Sequence, residues 1–275
     1  MSDRADVEIE RGGARVLQFA CLHDNYGFLL RCAATGVTAC IDAPDADEIA
    51  RRVDAWGGGG EGDAGKGRLD LILNTHWHPD HTGGNEALAA RYGALVVGPA
   101  DEGDRIPGRG RAVAHGDEVE IGDLRARVLA TPGHTRGHIV FHLPGPALAF
   151  VGDTVFSLGC GRLFEGSADE MWTSLKRLRD LPGETTLFCA HEYTQANAGF
   201  ALSVEPDNQG LRARADEVAA LRDRGQPSVP MQLSDEVRFN PFLRADDPVL
   251  AAAVGMVGAA PPAVFAEIRG RKDRF

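Results

Sequence analysis

The sequence predicts an α/β domain followed by a smaller, all-helical one. Three observations carry this expectation. Short β-type runs alternate with turns and helices over the first two thirds of the chain, polar residues of metal-ligand type stand just past several of those runs, and strand signals disappear beyond about Thr194. A length of 275 residues leaves room for one large domain and an appendage. The boundary is expected at residues 193/194, with 1–193 as the α/β domain and 194–275 as the helical one. With 43% hydrophobic and 25% charged residues the composition is that of a globular chain, and 34 Gly and 15 Pro favour many turns over long bundled helices.

In chain order, Val16 to Phe19, Tyr26 to Arg31 and Val37 to Ile41 read as strands, Asp45 to Ala55 as a helix, and Gly57 to Gly67 as a glycine-rich loop. Leu69 to Leu73 has the apolar pattern of a buried strand. Asn85 is the expected N-cap of a helix over Glu86 to Tyr92, which Gly93 ends in the left-handed conformation. Further strands are expected at Leu95 to Val97, Val119 to Ile121, Arg125 to Ala130, Ile139 to His142, Ala147 to Val151 and Thr186 to Cys189. Ser167-Ala168-Asp169-Glu170 has capping-box spacing and opens a helix that Leu181-Pro182-Gly183 stops. Beyond it, Ala196 to Val204, Asn208 to Arg224, Pro248 to Val257 and Pro262 to Gly270 read as helices.

Forty acidic against 29 basic residues give a net charge of −11, a field that repels a phosphate backbone, so nucleic acid is not an expected partner. No apolar run has the length of a membrane span, and the charged start Met1 to Asp6 leads into no apolar signal region. The five cysteines, Cys21, Cys32, Cys40, Cys160 and Cys189, are odd in number and show no C-x-x-C spacing, which points to a reducing compartment. A cytoplasmic monomer is the expected state.

The chemistry concentrates in Thr75-His76-Trp77-His78-Pro79-Asp80-His81, three histidines and an aspartate in six positions directly after a buried-type strand. Imidazole nitrogen and carboxylate oxygen are the donors that Zn²⁺ takes, and a tight turn aims several at one point. His134, Asp153 and His191 each stand just past a strand and are further candidates. Five histidines and two aspartates are too many for one tetrahedral ion, but they suit two ions about 3.5 to 4 Å apart that share one carboxylate and one hydroxide. Asp153, which enters alone from its own strand, is the best bridge. His23, His115, His138 and His142 lack such a setting and are expected to be structural or surface residues. Gly60 to Lys66 fits phosphate-loop spacing, but Gly67 stands where the magnesium-binding Ser or Thr should be. No G-x-S-x-G elbow is present, and Cys160 and Cys189 have no dedicated histidine.

These residues resemble the metallo-β-lactamase superfamily and, within it, the hydroxyacylglutathione hydrolases (glyoxalase II). The narrower resemblance lies in Gly152-Asp153-Thr154-Val155-Phe156, Gly159-Cys160-Gly161-Arg162, His191-Glu192-Tyr193-Thr194, Asn240-Pro241-Phe242-Leu243-Arg244 and Arg271-Lys272-Asp273. The resemblance implies an αββα sandwich with a smaller helical domain that completes the substrate pocket. It implies a first metal held by His76, His78, His134 and Asp153 and a second held by Asp80, His81, Asp153 and His191. The ions would be Zn²⁺, with Fe or Mn accepted by the same donors. The implied substrate is S-D-lactoylglutathione or a related 2-hydroxyacyl thioester, cleaved to glutathione and a 2-hydroxy acid in the second step of methylglyoxal detoxification. Asp80 would orient the bridging hydroxide, and Arg162, Phe164, Tyr193, Arg269 and Lys272 would contact glutathione. Three features depart from the pattern: Phe164 stands where some members have tyrosine, Ala190 where glycine is usual, and Gly57 to Gly67 is an insertion before the metal motif, with a solvent loop as its expected role. The rival readings are a glutathione persulfide dioxygenase with one iron on His76, His134 and Asp153, and a non-catalytic metal-binding protein.

Overall fold

A computed structural model describes residues 4–56 and 67–275. The phosphate-loop spacing of Gly60 to Lys66, and all of the glycine-rich stretch before Gly67, lie outside the described residues. The chain divides into two compact units, Met1–Leu129 with Ile139–Phe150, and Ala130–His138 with Val151–Phe275.

The first unit is built on a seven-stranded sheet of β1 (Val7–Arg11), β2 (Ala14–Cys21), β3 (Asn25–Cys32), β4 (Thr38–Ile41), β5 (Leu71–Leu73), β6 (Leu95–Pro99) and β7 (Arg109–Val113), which neighbour one another in chain order. The pairings β1 to β4 are antiparallel and those from β4 to β7 are parallel. Parallel neighbours need crossovers; helices α1 (Ala46–Trp56) and α3 (Asn85–Tyr92) supply the first two and the 3₁₀ segment Ala100–Arg105 the third. Ile49 and Val53 of α1 and Leu88 of α3 share a core with Phe19, Leu29, Ile72 and Val96. Each such side chain contributes about 1.5–3 kcal/mol when fully buried. Antiparallel hairpins β8–β9 (Glu118–Ile121, Leu124–Ala130) and β10–β11 (Ile139–Leu143, Leu148–Gly152) follow, and Phe150 packs edge-on to Phe28 at 5.7 Å.

In the second unit, the short hairpin β12–β13 (Val155–Phe156, Gly159–Cys160) precedes α4 (Ala168–Arg179). The Ser167 capping box is present, with the Glu170 N–H donating to Ser167 Oγ and the Ser167 N–H to Glu170 Oε2. Strand β14 (Thr186–Cys189) pairs antiparallel with β15 (Met231–Gln232), and α5 (Thr194–Val204), α6 (Gln209–Asp223), α7 (Leu233–Phe239), α8 (Pro248–Ala253) and α9 (Pro261–Asp273) make up most of the remainder.

Several expectations are corrected. Asn85 is the first residue of α3, not its cap; its side chain is buried and pairs with Asn74, so it serves the turn above the sheet. Asp45 is the residue that caps α1, accepting from the Asp47 and Glu48 N–H groups at 3.0 Å. Strand β15 follows Thr194, where the sequence predicts none: two residues carry too little periodicity to read. Strands β1 and β7 are also additional to the expected ones: Val7-Glu8-Ile9-Glu10 alternates, but only two apolar residues carry the pattern, and in Arg109 to Val113 only Val113 is buried.

Candidate metal centre

In the first unit, the turn after β5 carries four candidate ligands, and a single helical turn, α2 (Pro79–Thr82), shapes it. Proline at the first helical position needs no N–H partner and presets φ, so Asp80 and His81 leave the turn in fixed directions. Below them lies Asp42, buried just past β4 with φ of 57°. Its carboxylate accepts from the Thr75 N–H at 2.8 Å, from Thr75 Oγ1 at 2.9 Å and from His81 Nδ1 at 2.8 Å. A proton on His81 Nδ1 leaves the Nε2 lone pair as the donor edge. His76 is anchored likewise, its Nδ1 3.1 Å from Thr75 Oγ1. Its Nε2 stands 2.9 Å from His78 Nδ1, close to the roughly 3.3 Å edge of a tetrahedron with 2.0–2.1 Å metal–nitrogen bonds. Asp80 Oδ2 lies 3.5 Å from His81 Nε2 and accepts from Asn25 Nδ2 at 3.0 Å.

In the second unit, three ligand-type residues meet around Asp153. Its Oδ2 faces His134 Nε2 and its Oδ1 faces His191 Nε2, each at 3.4 Å. One carboxylate therefore offers one oxygen to each of two histidines. His134 is oriented by its Nδ1, 2.9 Å from the Arg162 carbonyl. His138, expected to be structural, accepts the Asp153 N–H on Nε2 at 3.1 Å, while its Nδ1 meets Thr131 and Thr154 hydroxyls. Gly161 fits here because a Cβ would lie 2.0 Å from the Asp153 carbonyl oxygen and 3.1 Å from His134 Nδ1. Two exposed aromatic rings flank the ligands: Phe164 edge-on to His134 at 5.2 Å, and Tyr193 stacked on His191 at 4.8 Å.

The same unit gathers three cations. Arg269 is buried: its Nη1 donates to the Cys160 carbonyl at 2.9 Å, its Nε and Nη2 to Asp273, and it lies over the Phe242 ring. Lys272 Nζ donates to the Ala196 carbonyl and sits above Phe200 and Phe275. Burial, Arg269 and Arg162 lower its pKa, in that order, so the three positive charges converge. Arg162 reaches Asp273 at 3.8 Å with its side chain largely exposed. Burial pushes the Cys160 thiol up to about 11 despite Arg269 beside it, which makes it an inert core thiol.

Family models match the whole length from residue 59 onward: the metallo-beta-lactamase superfamily over 59–191 and the hydroxyacylglutathione hydrolase C-terminus over 192–275. Hydroxyacylglutathione hydrolases of Maricaulis maris and Rhodospirillum rubrum are each 51% identical over 94% of this chain, covering 98% and 97% of their own lengths. The chain belongs to the hydroxyacylglutathione hydrolase family. It is an enzyme, with an α/β metallo-β-lactamase-like sandwich and a C-terminal helical extension. The fold agrees with the crystal structure of ETHE1 from Myxococcus xanthus (TM-score 0.61, 24% identity, 98% of both chains). It also agrees with that of a metallo-β-lactamase from Staphylococcus aureus (TM-score 0.62, 21% identity, 98% of this chain and 72% of that one). The clustered His and Asp side chains of this hydroxyacylglutathione hydrolase family member are candidate ligands for a binuclear centre. Among the described residues no helix is long and apolar enough to cross a membrane.

Sequence reasoning missed Asp42 and Asn25, while His138 has the structural role expected of it and exerts it on the Asp153 backbone. Asp42 carried one signal, a charged residue directly ending an apolar strand; Asn25 carried none that separates it from ordinary turn residues.

Proposed function

We propose that the protein hydrolyses S-(2-hydroxyacyl)glutathione thioesters, S-D-lactoylglutathione first, to glutathione and a 2-hydroxy acid such as D-lactate. This is the second step of methylglyoxal detoxification, and the proposed setting is the cytoplasm. The observation that supports it most is Asp153, whose two oxygens each address a different histidine, an arrangement that suits a carboxylate shared by two ions. In this reading His76, His78, His134 and Asp153 hold the first ion and Asp80, His81, Asp153 and His191 the second. Residues 1–193 are the metal-binding domain and 194–275 the substrate-binding domain.

The donor set fits Zn²⁺, with Fe or Mn as acceptable substitutes: His76, His81 and His134 each use Nδ1 on an oxygen of the protein and present Nε2. When bound, the two ions supply hydroxide at neutral pH and positive charge for the developing oxyanion. Asp80 orients the attacking water through its carboxylate. Arg162 and Lys272 receive the glutathione carboxylates, Arg269 adds charge from beneath while holding the Cys160 carbonyl, and Phe164 and Tyr193 pack on the peptide. No strong general acid is needed, since a thiol of pKa about 8.5 departs readily as thiolate.

The test follows the thioester absorbance of S-D-lactoylglutathione with purified protein at neutral pH, with and without chelator. Chelator-sensitive turnover is expected. No turnover above the metal-free control, or one iron per chain with oxygen consumption on glutathione persulfide, would overturn the reading.

A further inference from the structure

We propose that Asn25 is a positioning residue that orients the Asp80 carboxylate for the second metal ion, and that Arg4 holds Asn25 in place. The inference rests on Asp80 being a ligand of that ion, as proposed above. Asn25, at the start of β3, is buried, and its Nδ2 donates to Asp80 Oδ2 at 3.0 Å and to the Asp80 carbonyl at 3.2 Å. Both partners only accept, so the amide must present its nitrogen to them. With Oδ2 held by a charge-assisted hydrogen bond, rotation of the carboxylate is restricted before any ion arrives.

The backbone around Asn25 is secured by an unusual device. Arg4 is buried, and its guanidinium donates to the carbonyls of Cys21, Asp24 and Asn25 while lying 4.7 Å from the Tyr26 ring centroid. The turn it clasps is otherwise open: Leu22 has φ of 48° and is exposed, and the His23 side chain is fully exposed. Nothing apolar in that turn needs an arginine fork. What the fork fixes is the backbone that delivers the Asn25 amide to Asp80.

Stepwise Zn²⁺ binding to metal-stripped full-length protein, by competition with a chelating dye, tests this. The series is the parent, Asp80→Ala, Asn25→Ala, Asn25→Asp, Arg4→Met, and Asn25→Ala combined with Asp80→Ala. Both Asn25 variants should weaken the second binding step by about 10- to 100-fold and leave the first step unchanged, the usual cost of losing a group that orients a ligand. Asn25→Asp keeps the shape but replaces the donor by an oxygen that repels the Asp80 carboxylate and turns Oδ2 away, while the Tm reports any general loss of packing. Arg4→Met should weaken the same step less. In the Asp80→Ala background, Asn25→Ala should change nothing further. Parental binding by Asn25→Asp, or equal losses at both steps with a lowered Tm, would overturn the proposal while leaving Asp80 as a ligand. Two parental sites in Asp80→Ala would instead overturn the ligand reading, and this inference with it.

Discussion

The two ligand clusters are built in opposite ways. Four candidate ligands in the first unit come from six consecutive residues, His76 to His81, whereas His134, Asp153 and His191 in the second come from three separate strand ends. The local cluster gets its geometry from one turn of helix and from two anchors beneath it, Asp42 and Asn25. The dispersed cluster depends on Asp153, which both histidines face and which His138 holds by its backbone. A change in the local cluster should therefore disturb one ligand, and a change at Asp153 should disturb the whole of its set.

The largest expected effect breaks or keeps that contrast directly. Asp153→Ala should leave fewer than one ion per chain and lower kcat/KM by more than about 10³-fold, since removing even one oxyanion donor costs 10²–10³. Asp80→Ala should retain one ion. Elemental analysis of the two purified variants decides it, and two full ions in the Asp153 variant would show that the dispersed cluster has no hub.

Arg162 belongs to the dispersed region twice, its carbonyl orienting His134 and its side chain entering the cation cluster. Arg162→Met with Lys272→Met removes both charges and, with them, the Lys272 bond to the Ala196 carbonyl and the Arg162 approach to Asp273. At about 1.5–3 kcal/mol for each charge-assisted contact, KM should rise roughly a hundredfold or more with kcat nearly preserved and metal content normal. A small thioester lacking the glutathione carboxylates should be hydrolysed as by the parent; an equal loss on both substrates would assign the cations to folding. Arg269 is unsuited to this test, because its truncation strands the Cys160 carbonyl.

In the local cluster, Asp42→Asn keeps an acceptor oxygen but removes the charge behind His81. Metal affinity should fall by about 10- to 100-fold. Chelator competition measures it, and an unchanged affinity would mean that the turn alone orients His81.

The smallest effect concerns the support of the β12–β13 hairpin, which leads to Arg162. Glu236 is buried and accepts from Ser157 Oγ, the Leu158 N–H and Asn240 Nδ2. Burial raises its pKa in the folded protein, outweighing those hydrogen bonds. A carboxyl raised on folding gives its full stability below its unfolded pKa, and that contribution is lost as pH climbs from about 4.5 through the folded value. Glu236→Gln can keep the pattern, its oxygen serving Leu158 and Asn240 and its amide the Ser157 hydroxyl. It should change stability by no more than about 1.5 kcal/mol and flatten the decline above pH 4.5. Urea melts over the pH range measure this, and an unchanged slope would acquit Glu236.

Much of the fold was legible because its signals are local. Apolar runs marked β2 and β3, alternation marked β9, the Ser167–Glu170 box marked α4, and Gly93 in the left-handed region marked the end of α3. Strands β7 and β15 were not legible, because pairing with a neighbour rather than their own pattern makes them strands, while β1 alternates but has only Val7 and Ile9 to show it. Arg269 reads as part of a surface cation cluster from sequence, yet it is buried against Cys160, which lies 109 residues away.

Residue type and short spacing are local properties, so the sequence alone shows which side chains are of metal-ligand type, that four of them share one turn, and that the others end strands. Only the tertiary structure decided which nitrogen each imidazole presents and which way each carboxylate turns. Asp42 sets this for His81 from 39 residues away, the Arg162 carbonyl for His134 from 28, and Asn25 for Asp80 from 55. An imidazole has two nearly equivalent nitrogens and a carboxylate two equivalent oxygens. Their choice is made by whichever buried partner the folded chain brings against them, and no local pattern encodes that partner.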